Sequence, residues 1–387
     1  MTNPLLELNK YGQSVWYDNL NRSLLTSGKL QRMVDEDGVC GGTSNPSIFE
    51  KAVAAGDYYN SEIGRLARDG RELAEIYDEL TITDVQRSAD VFRPAYERTS
   101  GADGYASLEV SPELANDTEG TVTAARRLFA ALDRPNVMIK IPGTPEGLPA
   151  VEQCLVEGIN INITLLFGVE NYEQVAWAYI AALEKRLKAN EPIDRIASVA
   201  SFFVSRVDTL IDEKLSTKIE SAASEIERKH LASLFGKAAI ANAKIAYAKY
   251  KEIFSSPCWK VLEGAGSRVQ RCLWASTSTK NPEYRDVMYV EQLIGPHTVN
   301  TLPQSSLDAF REHGAVAPTL GSDVEGALET IRQLEEAGIS FRAATDELQV
   351  QGVKSFADSF DKANATIQEK REALPAAAQA VRTSDAG

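Results

Sequence analysis

Gly158-Ile159-Asn160-Ile161-Asn162-Ile163-Thr164 keeps a strict period of two, with three isoleucines facing one way and Asn160, Asn162 and Thr164 the other. A run this short and apolar reads as a central strand, yet one of its faces is polar, an uncommon pattern for a strand that only fills a core. Gly147 to Glu157 before it and Glu170 to Lys188 after it carry helical spacing. Beyond those helices come two more strands. Val137-Met138-Ile139-Lys140-Ile141-Pro142-Gly143-Thr144 puts Val137, Ile139 and Ile141 on one face and Met138 with Lys140 on the other, ended by Pro142-Gly143. Ile196 to Phe203 ends near Ser201 and is followed by Arg206.

Strand and helix continue to alternate outward from this centre. Gln13 to Asn19 gives a strand signal with Ser14, Trp16 and Asp18 on one face, and Val39 to Asn45 a second with Thr43 and Asn45 together, followed by a helix from Ser47. Residues 57 to 99 read as two long amphipathic helices, in which Ile76, Leu80, Val85, Ala89, Phe92 and Tyr96 recur at near-helical spacing. Ala102 to Val110 alternates again, with Ser107 and Glu109 together, and Thr121 to Leu132 is helical. Downstream, Asp208 to Ile253 is a long helical region, Val269 to Ser276 a strand, Pro282 to Leu293 a short helical stretch and His297 to Thr301 a strand. Ser322-Asp323 caps a helix through Glu336, and Ala344 to Leu374 is helical. Residues 375–387 are small and polar, and read as a disordered tail.

Eight short strands separated by helices, with no repeat period and no linker-like break, predict one α/β domain over residues 1–374: a single parallel (β/α)8 TIM barrel with additional helices. A doubly wound open sheet is the alternative. The barrel also gathers strand C-termini at one mouth, where such folds keep their active sites. Asp18, Asn45, Glu109, Lys140, Asn162, Thr164, Ser201 and Ser276 all fall at or near predicted strand C-termini.

The 387 residues, 43% hydrophobic and 25% charged, suit a chain with a sizeable core. A formal net charge of −14 argues against nucleic acid or an anionic membrane as partner. A few placed cations could still hold one phosphate. No apolar run approaches a membrane span and the first ten residues lack a leader pattern, so the expected location is the cytoplasm. The four cysteines lie far apart without a CxxC pair, and the three histidines show no metal-binding spacing, so neither a disulfide framework nor a metal centre is expected. Whether the chain is a monomer or a homodimer stays open.

A lysine among apolar neighbours on a buried strand needs an explanation. Buried without a partner, an ammonium tends to lose its proton, and the free amine can attack a carbonyl to form a Schiff base. On the octet alone the ordinary alternative, a lysine snorkelling to water or paired with an acid, is favoured. Other chemistries find less support. Gly41 to Ser47 lacks the GxxxxGKS/T pattern of a phosphate loop, Gly264-Ala265-Gly266 lacks a third glycine, His297 has no evident acid partner, and Ser201 and Ser276 lack a nucleophile elbow. What remains is an amine (Lys140), two carboxylates (Asp18, Glu109), hydroxyls and amides for a polyol, and a cation (Arg206) for a phosphate. That set suits an aldol reaction through an imine, in which each step moves a proton and a carboxylate or bound water must assist the lysine. Such chemistry needs no metal or organic cofactor.

Two segments carry a family resemblance. Gly42-Thr43-Ser44-Asn45-Pro46-Ser47-Ile48-Phe49 and Met138-Ile139-Lys140-Ile141-Pro142-Gly143-Thr144-Pro145-Glu146-Gly147 resemble transaldolase signatures. Asn162 to Phe167, Ser201 to Asp208 and Trp274 to Thr277 are similar to further family segments, in the same order. The resemblance implies that Lys140 forms the Schiff base with a ketose phosphate, that Asp18 takes the proton of the C4 hydroxyl, and that Glu109 with Thr164 holds a catalytic water. It further implies that Asn45, Asn162 and Ser201 bind the dihydroxyacetone oxygens while Arg206 and Ser276 hold the phosphate. The implied reaction moves dihydroxyacetone from sedoheptulose 7-phosphate to glyceraldehyde 3-phosphate, giving erythrose 4-phosphate and fructose 6-phosphate. One position departs: where the better-known branch has an arginine, this chain has Ser278, with Lys280 two residues on. Lys280 is either a substitute phosphate cation or an exposed loop lysine. An aldolase that releases free dihydroxyacetone, and a barrel that only binds sugar phosphates, are the competing functions.

Overall fold

In the computed structural model, which describes residues 3–384 and side chains to residue 373, eight parallel strands close into a barrel in sequence order. They are β1 (Gln13–Tyr17), β2 (Gly42–Thr43), β3 (Ala106–Glu109), β4 (Val137–Pro142), β5 (Ile161–Leu166), β6 (Ser198–Phe203), β7 (Arg271–Ala275) and β8 (Thr298–Leu302). Closure comes from β1 against β8, in register from Gln13 with Thr298 to Tyr17 with Leu302. The open doubly wound sheet is therefore excluded. The tail expected at 375–387 lies outside the residues whose side chains are described.

Alternation on β4 has the energetic meaning the sequence suggests. Val137, Ile139 and Ile141 are fully buried, and burial of each such side chain contributes about 1.5–3 kcal/mol. On the opposite face, strand register does the positioning: Glu109 of β3 pairs with Lys140, and Lys140 with Asn162 of β5. Three polar side chains thus stand on adjacent strands at one level. Hydrogen bonding is local to the ladder, so the layer is set by pairing rather than by loops.

Several elements differ from expectation. β2 is two residues long, because Asn45 caps the helix Pro46–Ala54 by accepting from the Ile48 amide at 2.9 Å. The alternation through Thr164 is interrupted by a register shift between Ile163 and Leu166, where Leu165 takes φ 59°. Short helices Arg22–Thr26, Lys29–Asp37 and Pro257–Gly264 fill stretches whose lack of long apolar periodicity hid them. The region Asp208 to Ile253 is three helices, Ser205–Glu220, Glu225–Ala232 and Ala238–Ile253, and the first helix of the 57–99 pair is only Asn60–Arg68.

The final helix, Phe341–Ser384, returns to the barrel mouth. Gln349 donates to the carbonyls of Gly143 at 2.9 Å and Leu165 at 3.2 Å, so the backbone freed by the β5 irregularity finds its partner in this helix.

Candidate active site

At the C-terminal end of the barrel lies a cavity of about 560 Å³ whose wall includes Asp18, Asn45, Lys140, Thr164, Ser201, Arg206, Ser276 and Lys280. Glu109 and Asn162 stand behind that wall and reach it through neighbours. All ten residues singled out from the sequence thus belong to one neighbourhood.

Lys140 is 4% exposed. Its Nζ donates to the Ser44 carbonyl at 3.2 Å and lies 3.2 Å from Glu109 Oε2. That carboxylate oxygen receives no aligned hydrogen bond, and neither does the buried Oγ1 of Thr164. Burial raises the Glu109 pKa, opposed by the Lys140 charge and reinforced by Asp18. Burial thus favours the protonated form of this carboxyl, which lies beside the Lys140 amine.

Asp18 extends past the end of β1 and accepts from Thr43 Oγ1 at 2.6 Å. One carboxylate oxygen is so fixed by β2. Its charge is felt at Glu109, Arg206 and Lys280. Deeper in the barrel, Ser201 donates to Asn162 Oδ1 at 2.6 Å and Asn162 Nδ2 donates to Ser107 Oγ at 3.1 Å. This chain over β3, β5 and β6 locks the amide's orientation. Asn45, its oxygen occupied as a helix cap, has its Nδ2 left to offer.

The cationic side of the cavity is built from the ends of β6 and β7 and the segments that leave them. Arg206 sits with its guanidinium 5.3 Å from the centre of the Phe203 ring. Burial lowers its pKa, offset by Asp18. Ser276 takes φ 57° and shares a 2.9 Å hydroxyl contact with Ser205, which joins β7 to the start of the Arg206 helix. Left-handed backbone at a non-glycine residue is a strain typically kept at functional sites. Lys280 is exposed as a residue, and its Nζ donates to Ser278 Oγ at 2.7 Å. Its ammonium end is desolvated enough to lower its pKa, with Arg206 and Lys51 adding like charge.

The sequence matches a family profile described as Transaldolase/Fructose-6-phosphate aldolase over residues 15–367. It is 47% identical to a transaldolase of Trichodesmium erythraeum over 97% of this chain and 99% of that protein. The chain belongs to the transaldolase family. A transaldolase of Thermobifida fusca is 45% identical over 94% of this chain and 96% of its own length. A protein of Nostoc named transaldolase 2 is 47% identical over 96% and 98%.

Among the further wall residues not singled out as site candidates in the sequence are Thr43, Lys51 and Phe356. Thr43 shares its face of β2 with Asn45, which was the available signal. Lys51 follows Ser47 by one helical turn. Phe356 comes from the final helix, and no local pattern could have placed it there. His297, weighed as a base, precedes β8 and lines a different cavity with Arg268 and Arg271, at the opposite end of the barrel. Among the described residues, no group of three or more His, Cys, Asp or Glu could hold a metal ion, and no helix is long and apolar enough to cross a membrane.

Proposed function

We propose that this barrel acts as a transaldolase on sugar phosphates, transferring a dihydroxyacetone unit from sedoheptulose 7-phosphate to glyceraldehyde 3-phosphate through an imine on Lys140. The observation that carries the reading is the buried contact of Lys140 with Glu109, at 3.2 Å, in a cavity that also holds Asp18 and Arg206. A neutral amine attacks the ketose carbonyl, and the carbinolamine then loses water. Glu109, behind Lys140, and Thr164, on the cavity wall, are suited to pass those protons through a water. Asp18, held by Thr43, takes the C4 hydroxyl proton as the C3–C4 bond breaks, and the electron pair moves into the imine. An aldehyde leaves and an enamine stays. Attack on the acceptor aldehyde and hydrolysis of the new imine run the sequence in reverse.

Asn45 Nδ2, the Asn162–Ser201 pair and the Lys140 surroundings suit the hydroxyls of the retained three-carbon unit. Arg206 and Ser276, with Lys280 as a second cation, suit the phosphate at the other end. The relatives' names favour transfer over release. Borohydride added with fructose 6-phosphate, followed by peptide mass spectrometry, tests the imine: an adduct on Lys140 that persists in EDTA is expected. No adduct, or one on another lysine, overturns the reading. Product formation should require an acceptor aldehyde, and acceptor-independent turnover would point to the simple aldolase. Arg206→Ala should raise KM for phosphorylated donors, and an unchanged KM would remove Arg206 from the phosphate site.

A further inference from the structure

The segment after β7 carries Ser276, Ser278 and Lys280 into the cavity wall, while Pro282, Glu283, Arg285 and Asp286 farther along it are exposed. Its far end is tied away from the site, through Arg285 to Glu291 and Asp286 to His313. Tyr284 ties it toward the site. The Tyr284 hydroxyl donates to Asp212 Oδ2 at 2.6 Å, and Asp212 Oδ1 accepts from the Gly236 amide at 3.1 Å. Gly236 has φ 67°, and a Cβ there would stand 2.8 Å from Tyr284 Cζ, so the ring lies against bare backbone. A second tether repeats the pattern: Tyr289 donates to Asp208 Oδ2 at 2.8 Å, and Asp208 Oδ1 accepts from the Ala239 amide at 2.8 Å.

Both carboxylates lie on the helix Ser205–Glu220, which also carries Arg206. Lys280 and Arg206 face one cavity as like charges, and an unrestrained loop would carry the lysine away until an anion arrived. We propose that the Tyr284–Asp212 hydrogen bond is a positioning device that holds Lys280 beside Arg206 against their repulsion, so that the two cations form a preassembled clamp for the sugar's phosphate. The inference rests on the reading of Arg206 and Lys280 as phosphate ligands. Tyr284 is not on the cavity wall and acts only through Lys280. Preassembly matters because ordering a loop at the moment of binding subtracts from affinity.

The test compares wild type, Tyr284→Phe, Lys280→Ala and the double variant. Three quantities are measured: kcat and KM for fructose 6-phosphate with an acceptor, the inhibition constant of inorganic phosphate, and the rate of borohydride trapping with unphosphorylated dihydroxyacetone. Tyr284→Phe keeps the ring and loses one hydroxyl. It should raise KM and the phosphate inhibition constant about three- to tenfold, the range one hydrogen bond supplies, with kcat within about twofold and trapping unchanged. In the Lys280→Ala background the same change should add nothing. If Lys280→Ala raises KM but Tyr284→Phe does not, the tether is overturned and the clamp stands. If Lys280→Ala changes nothing, Lys280 is no phosphate ligand and the proposal falls with that assignment. An equal penalty in both backgrounds, or slowed trapping in Tyr284→Phe, would show general loosening and overturn the positioning role.

Discussion

The Lys140 ammonium and the Glu109 carboxylate face each other across β3 and β4 at 3.2 Å, with side chains only 5% and 6% exposed. At Glu109 desolvation raises the pKa and the Lys140 charge opposes that rise. Charge-neutral transfer of the proton, relayed by water, would leave the amine ready to attack.

Glu109→Gln should therefore slow turnover by about 10²- to 10⁴-fold, the usual contribution of a positioned acid or base. The pH profile supplies the sign. The group's pKa is raised in the fold, so the deprotonated form needed to accept protons is lost as pH falls, beginning above the ordinary carboxylate range. Wild type should show an acidic limb there, and Glu109→Gln should lack it. An unchanged limb in the variant would assign it to another group.

Thr43→Val should keep imine trapping on Lys140 and lower kcat for cleavage about tenfold. The valine fills the same space and removes the 2.6 Å hydrogen bond that orients Asp18, a loss of about 1 kcal/mol or slightly more. Single-turnover cleavage separates the two steps, and equal loss in trapping and cleavage would contradict an effect confined to Asp18.

Arg22 is a structural counterpart of the Lys140–Glu109 ion pair. It is 5% exposed, contacts Asp84 and Glu62, and Asp84 also accepts from Tyr59 at 2.7 Å. Arg22→Met leaves Asp84 buried without its cation and should cost about 3–5 kcal/mol in denaturant unfolding. Adding Asp84→Leu should restore part of it. If the double variant is less stable than the single, the isolated charge is not the source of the cost.

Asp208, tethered to Tyr289 and the Ala239 amide and close to Asp212, has its pKa pushed up to about 7 by burial. The native chain then holds a proton that the unfolded chain releases near pH 4, so this group's contribution to stability falls as pH rises from about 4 to 7. Wild-type Tm relative to Asp208→Asn should decline across that window. A difference between the two that is flat with pH would show that Asp208 does not titrate there.

Strand count, order and closure were legible because β strands in a barrel read as short apolar runs alternating with helical spacing. Of the polar residues on the Ile159 to Thr164 run, Asn162 and Thr164 lie toward the cavity, whereas Asn160 precedes β5 and bonds the Val137 carbonyl and the Ala197 amide. Periodicity is silent where the backbone departs from it. Leu165 at positive φ cannot be seen in a pattern of side chains, and Asn45 reads equally as strand end or helix cap until the strand is known to be two residues long. Residues joined across distant segments were equally hidden: nothing near Tyr284 in sequence announces Asp212, and nothing near Phe356 announces the cavity. Lys280, left open between phosphate cation and exposed loop lysine, is an exposed residue that also lies on the cavity wall.

The seat of Gln349 on the Gly143 and Leu165 carbonyls, with Phe356 in the cavity wall, has a consequence for biosynthesis. Chains fold from the N-terminus as they emerge from the ribosome, and all eight strands are complete at Leu302. The chamber around Lys140 still lacks part of its wall at that stage. The wall around Lys140 is therefore complete only once the last helix has been made, well after the last strand.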